Sequence, residues 1–148
     1  MRLIVFISTL FITAGCSSVM LQPVDFSWPV ETVLKVNQNG QVSEDRYAFD
    51  INVKPIFYEE FEDSNSVAGR EIRVIRDRAG HYYFTGSGFK NIYLFMPVEG
   101  GMKLADKINI SDSLTLKTPV FNQKSTNVEL IDGPNKYSVI GKEIVRTK

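Results

Sequence analysis

Cysteine is almost missing from this chain: its 148 residues hold one, Cys16. A lone cysteine excludes a framework of internal disulfides. Histidine is equally scarce, and His81 stands alone, which excludes a centre built on several histidines. Neither sign of charge prevails, with 17 Lys and Arg against 17 Asp and Glu. A nucleic-acid-binding surface would need a clustered basic excess, so no nucleic-acid partner is expected. Past residue 25 no stretch keeps a helical apolar period for three turns. No nucleophile elbow, metal-ligand spacing or phosphate loop with a following helix is present.

What the chain does have begins at its N-terminus. Arg2 precedes an apolar run from Leu3 to Ile12, which ends in Thr13-Ala14-Gly15-Cys16. The run falls short of the roughly 20 apolar residues of a transmembrane helix and suits the apolar region of an export signal. The Thr13-Ala14-Gly15-Cys16 ending resembles the lipobox of bacterial lipoproteins. Thr13 stands where that family usually has leucine, and Arg2 is the whole basic region. The resemblance implies that residues 1–15 are removed and that Cys16 carries covalent lipid, acyl chains such as palmitate. With Ser17 rather than aspartate after the cysteine, it implies attachment to the outer membrane of a bacterial envelope, with the domain facing the periplasm. Several acyl chains anchor stably where one binds only marginally. Residues 16–25 then form a lipidated tether and residues 26–148 one domain of ordinary size. The resemblance covers residues 1–17 and implies nothing about the fold beyond them.

The rest reads as strands. Tyr47, Phe49, Ile51 and Val53 alternate with Ala48, Asp50, Asn52 and Lys54, which is the period of a half-buried strand. Ile72 and Val74 alternate with Glu71 and Arg73 in the same way. Tyr82 to Phe84 and Ile92 to Met96 are apolar on both faces and read as central strands covered on both sides. Val33 to Val36, Lys103 to Ala105, Leu114 to Val120, Val128 to Ile131 and Tyr137 to Val145 complete the set. Turn residues fall between them at Asn37-Gln38-Asn39-Gly40, Asp77-Arg78-Ala79-Gly80, Gly86-Ser87-Gly88, Gly100-Gly101 and Asp132-Gly133-Pro134-Asn135. Prolines 29, 55, 97 and 119 are expected at strand ends, edges or bulges, where no ladder donor is needed. The polar stretch Glu59 to Gly69 reads as a long mobile loop. The pattern predicts an all-β domain, an antiparallel sandwich or barrel of roughly eight to nine strands. The stretch from Val74 to Gly86, followed by Ile92-Tyr93-Leu94-Phe95, resembles a single blade motif of some β-propellers. It occurs once, and a propeller needs at least about four blades.

Candidate sites follow from composition. His81 follows a turn glycine and lies near Asp77 and Ser87 in sequence, without a nucleophile elbow. Glu59, Glu60, Glu62 and Asp63 are an acidic run without the alternating ligand pattern of a calcium loop. No cofactor or metal is expected. The aromatics exceed what one small core face needs, and Tyr83, Phe89 and Tyr93 are the candidates for an exposed platform that stacks on sugar rings or anchors a protein. Arg73, Arg76 and Arg78, with Arg70, are the candidates for a basic face toward an acidic partner. The expected function is a non-catalytic lipoprotein domain that binds or scaffolds a protein or glycan near the membrane. The alternatives are a small-ligand carrier with a barrel cavity, and a small hydrolase of envelope polymers with acids among Asp45, Asp50, Glu71 and Asp77.

Overall fold

The computed structural model describes residues 30–46, 48–124 and 127–147. The expectations placed on Cys16, the tether, Pro29 and Tyr47 lie outside the described residues. In chain order the elements are β1 (Thr32–Lys35), β2 (Gln41–Glu44), β3 (Phe49–Asn52), α1 (Lys54–Phe61), β4 (Glu71–Arg76), β5 (Tyr82–Thr85), β6 (Asn91–Val98) and β7 (Gly101–Asn109). They continue as β8 (Pro119–Lys124), β9 (Asn127–Asp132), β10 (Asn135–Ile140) and β11 (Glu143–Thr147). All pairing is antiparallel, in a five-stranded sheet β1-β4-β5-β6-β7, a four-stranded sheet β11-β10-β9-β8 and the hairpin β2-β3. The fold is all-β and sandwich-like. Among the described residues the sheets do not close into a barrel.

The five-stranded sheet is the middle layer, because its strands are apolar on both faces. Ile72, Val74, Tyr82, Phe84 and Tyr93 point one way and pack with Val42, Val53, Ile56 and Phe57 of the β2-β3 hairpin and α1. Ile75, Tyr83, Ile92 and Leu94 point the other way and pack with Phe121, Val128, Leu130 and Val139 of the four-stranded sheet. All four residues of β5 are buried, as continuous apolar strands require. Phe49 and Ile51 turn inward while Asp50 and Asn52 face outward, as the alternation demands.

Differences from the sequence expectation have local causes. Residues 54–61 form a helix, where a strand end and the start of a loop were expected. Pro55 occupies its first turn, a position whose N–H has no partner in any helix. Glu62 ends it in a left-handed conformation, its N–H donating to the Tyr58 carbonyl at 2.8 Å. Tyr137 to Val145 is two strands, because Gly141 at φ +60° turns the chain between β10 and β11. The strand expected from Leu114 begins only at Pro119.

The Asp77–Gly80 turn forms as its residues require. Gly80 has φ +91° and donates to the Asp77 carbonyl at 3.2 Å, and the Asp77 N–H donates to the His81 carbonyl at 2.9 Å. A Cβ on Gly80 would lie 3.3 Å from Arg76 Nη2. Gly80→Ala is therefore expected to cost about 1–2 kcal/mol, mostly from the positive φ, read as a lower denaturation midpoint with an unchanged slope.

Candidate functional site

The three aromatics expected on a platform are core residues. Tyr83 is 2% exposed, Phe89 0% and Tyr93 1%. The reason is that both faces of the middle sheet are covered. Tyr83 belongs to the core against the four-stranded sheet. Phe89 and Tyr93 belong to the core under α1, where Phe89 meets the Phe57 ring edge-on at 5.4 Å and the Phe61 ring at 5.6 Å.

The arginines do not share one face either. Arg73 points toward the four-stranded sheet and pairs with Glu31 at 2.8 Å. The other oxygen of Glu31 accepts the Phe121 N–H of β8 at 2.8 Å. That carboxylate therefore ties the two sheets together, and Arg73 is a structural residue. Arg76 is on the opposite face, its guanidinium 5.6 Å from the centre of the Tyr82 ring. Arg78 is exposed in the β4-β5 turn.

His81 serves that same turn. Asp77 Oδ1 accepts the His81 N–H at 2.8 Å, and Oδ2 lies 3.0 Å from His81 Nδ1. Oδ2 also accepts the Tyr83 hydroxyl at 3.2 Å. The acidic run is likewise put to structural use. Glu60 accepts the Lys90 N–H at 2.7 Å, Asn91 Nδ2 at 2.7 Å and the Tyr93 hydroxyl at 2.8 Å. Glu59 pairs with Lys107. Asp63 accepts the N–H groups of Asn65 and Ser66, and the Asn65 bond holds its carboxyl below the usual carboxylate range. Among the described residues no group of three His, Cys, Asp or Glu side chains is placed to hold a metal ion.

Two tyrosines gain an alkaline signature from this packing. Burial raises the Tyr83 and Tyr93 phenols well above the usual tyrosine range, and the neighbouring Asp77 and Glu60 carboxylates add to it. The unfolded chain ionises them near pH 10, whereas the folded chain keeps them neutral. Their contribution is complete below that pH and falls as pH rises through it. We expect tyrosinate absorbance from these two residues to appear together with loss of the folded circular dichroism signal. Tyr83→Phe is expected to flatten the decline of stability above pH 10.

Two concave surfaces of the described residues lie at one end of the middle sheet. A cleft of about 280 Å³ lies between loop residues Ile110 to Thr118 and the β9-β10 turn, Asp132 to Asn135, with Tyr137 also lining it. Asp132 Oδ1 shapes its rim by accepting the N–H groups of Lys117 and Thr118, at 3.0 and 2.7 Å. Leu114 stands exposed in its wall. A second hollow of about 300 Å³ is lined by Phe57, Arg70, Glu71 and Ser87. Arg70 stacks there, 4.4 Å from the centre of the Phe61 ring. Between them runs a short bridge: the Gly88 N–H donates to the Leu116 carbonyl at 2.6 Å, and the Leu116 N–H to the Phe89 carbonyl at 2.8 Å. Gly86, Ser87 and Gly88 thus form a loop between two clefts, followed by a strand rather than a phosphate-binding helix. The sequence marked this loop but gave no sign of the first cleft, whose walls come from segments about twenty residues apart that meet only in the fold.

The four acids considered for a hydrolase are scattered. Asp45 is in the β2-β3 turn, and Asp50 accepts the Ser43 hydroxyl on the outer face of that hairpin. Glu71 and Asp77 stand at opposite ends of β4, about 20 Å apart at the rise of a strand. Carboxylates that cleave a glycosidic bond lie about 5 to 9.5 Å apart.

No family model, no curated protein and no solved structure matches the chain.

Proposed function

We propose that this chain is a membrane-anchored envelope lipoprotein whose β domain binds or scaffolds a partner, protein or glycan, without catalysing a reaction on it. One observation carries the reading: the chain enters and the clefts open at opposite ends of the middle sheet. Thr32 pairs with Val74 and Val74 with Phe84, so Val30 and Glu31 lie at the Arg76 end. Glu71, Ser87 and Ile110 lie at the other end. A lipid on Cys16 would tether the first end to a membrane and leave the clefts at the far end of the sheet. The cleft sizes suit a side chain or a single sugar unit, being at or below the small end of ligand pockets.

The test is a photo-crosslinking residue at Leu114, or at Ser87, in intact cells, followed by mass spectrometry of the adducts. One defined partner is expected at one of these positions and not at Val145 on the four-stranded sheet. Robust turnover of an envelope polymer, abolished by Asp77→Asn or His81→Ala in a protein that still folds, would overturn the reading. For the anchor, acyl labelling is expected to vanish in Cys16→Ser, with release of the chain from membranes.

A further inference from the structure

The β6-β7 hairpin runs past its neighbour. Tyr82 is the first residue of β5 and pairs with Phe95, yet β6 continues to Val98 and returns from Gly101. The projecting part spans Met96 to Lys103, about 13 Å of strand beyond the sheet. Met96 and Val98 point one way, 39% and 49% exposed, with Lys103 opposite Met96. Pro97 is exposed on the other face, where Met102 packs against the core under α1. Leu104, at the base of the arm, is 45% exposed. Beyond Met102 the tip has no second layer among the described residues to bury it, and adjoining exposed apolar residues mark a contact surface.

Its position names the occupant. The arm projects from the end of the sheet where Val30 enters, the end away from both clefts. Val30 lies fourteen positions after Cys16, a span of at most about 50 Å. An anchored Cys16 therefore keeps this end within reach of the bilayer surface. Charges at this end are of both signs: Arg46, Arg76, Arg78 and Lys103 stand with Glu31, Glu44, Asp45, Asp77 and Glu99. Attraction to anionic headgroups is thus not what this end offers; apolar burial is.

We infer that the tip of the β6-β7 hairpin, through Met96, Pro97 and Val98, dips into the headgroup–acyl boundary of the membrane that holds the lipid anchor and so fixes the orientation of the domain. Glu99 and the unpaired backbone at the tip keep it at the boundary, since unsatisfied polar groups do not enter the hydrocarbon. The inference rests on the lipidated reading of Cys16.

The experiment uses the full lipoprotein, purified from membranes and reconstituted in zwitterionic phosphatidylcholine vesicles. Val98→Cys and Leu114→Cys are each labelled with an environment-sensitive fluorophore. With Cys16 acylated, the introduced thiol is the one that reacts. At position 98 we expect a blue-shifted emission, quenched at least threefold more by doxyl lipids than by aqueous iodide. At position 114 the order reverses. An aqueous signature at 98 on vesicles that carry the protein would overturn the inference and leave the anchor intact. If the unsubstituted chain takes the label at Cys16 and fails to float with vesicles, the anchored reading falls and this inference with it.

Discussion

Replacing Glu60 with alanine is expected to destabilise the domain by about 3–5 kcal/mol. Three donors meet this one carboxylate: the Lys90 N–H, Asn91 Nδ2 and the Tyr93 hydroxyl. A hydrogen bond to a charged group contributes about 1.5–3 kcal/mol, and bonds that share one acceptor sum to less than their total. Asn91 and Tyr93 are buried, so their donors would be stranded, and that penalty dominates. Glu60→Gln keeps one side-chain oxygen and is expected to lose about half as much. The measurement is equilibrium unfolding in urea of all three proteins. Equal losses for Ala and Gln would mean that charge, not acceptor count, holds the helix to β6.

Phe89→Ala is expected to cost about 3–5 kcal/mol, the usual range for removing a buried phenyl group. Phe89 is fully buried and is clasped by Phe57, Phe61 and Tyr93, with ring centres 5.4, 5.6 and 6.2 Å away. Its loss also acts on the surface. The Phe89 carbonyl receives the Leu116 N–H, and the Gly88 N–H donates to the Leu116 carbonyl; alanine keeps these backbone groups but removes the buried ring that seats them. We expect weaker partner crosslinking from Leu114 in Phe89→Ala at temperatures where the protein is still folded. Gly80→Ala, in the turn at the opposite end of the sheet, should leave crosslinking unchanged. Equal crosslinking in both would sever the cleft from the core beneath it.

Much of the architecture was legible because it obeys period two. The alternation through Phe49, Ile51 and Val53 placed β3, and two-sided apolar runs placed β5 and the first half of β6 in the middle layer. The Asp77–Gly80 turn follows from the side chains that tolerate it. What the sequence hid depends on distant partners. The helix α1 is eight residues long, too short to display an apolar period, and its acids read as a solvated run. Glu60 finds its partners 30 to 33 residues away. The strand β2 holds one buried apolar residue, Val42, in a polar setting, and so gave no signal. Tyr83 and Tyr93 lie on opposite faces of the middle sheet, so burying both takes a layer on each side; the two-sided apolar runs announced those layers, but not which residues of α1 and the four-stranded sheet supply them. The clefts were illegible for the same reason, since each joins loops that meet only after the layers pack.

The placement of β1 at the edge of the middle sheet bears on mechanical load. A partner held in the clefts and a lipid pulled by the membrane would draw the domain from its two ends, along the strand axis. Ladder hydrogen bonds run perpendicular to that axis, so the four β1 residues paired with β4 would resist together, in shear, rather than open one after another. An edge strand that is the thermodynamically cheapest to peel sideways is thereby the element best oriented to bear tension lengthwise.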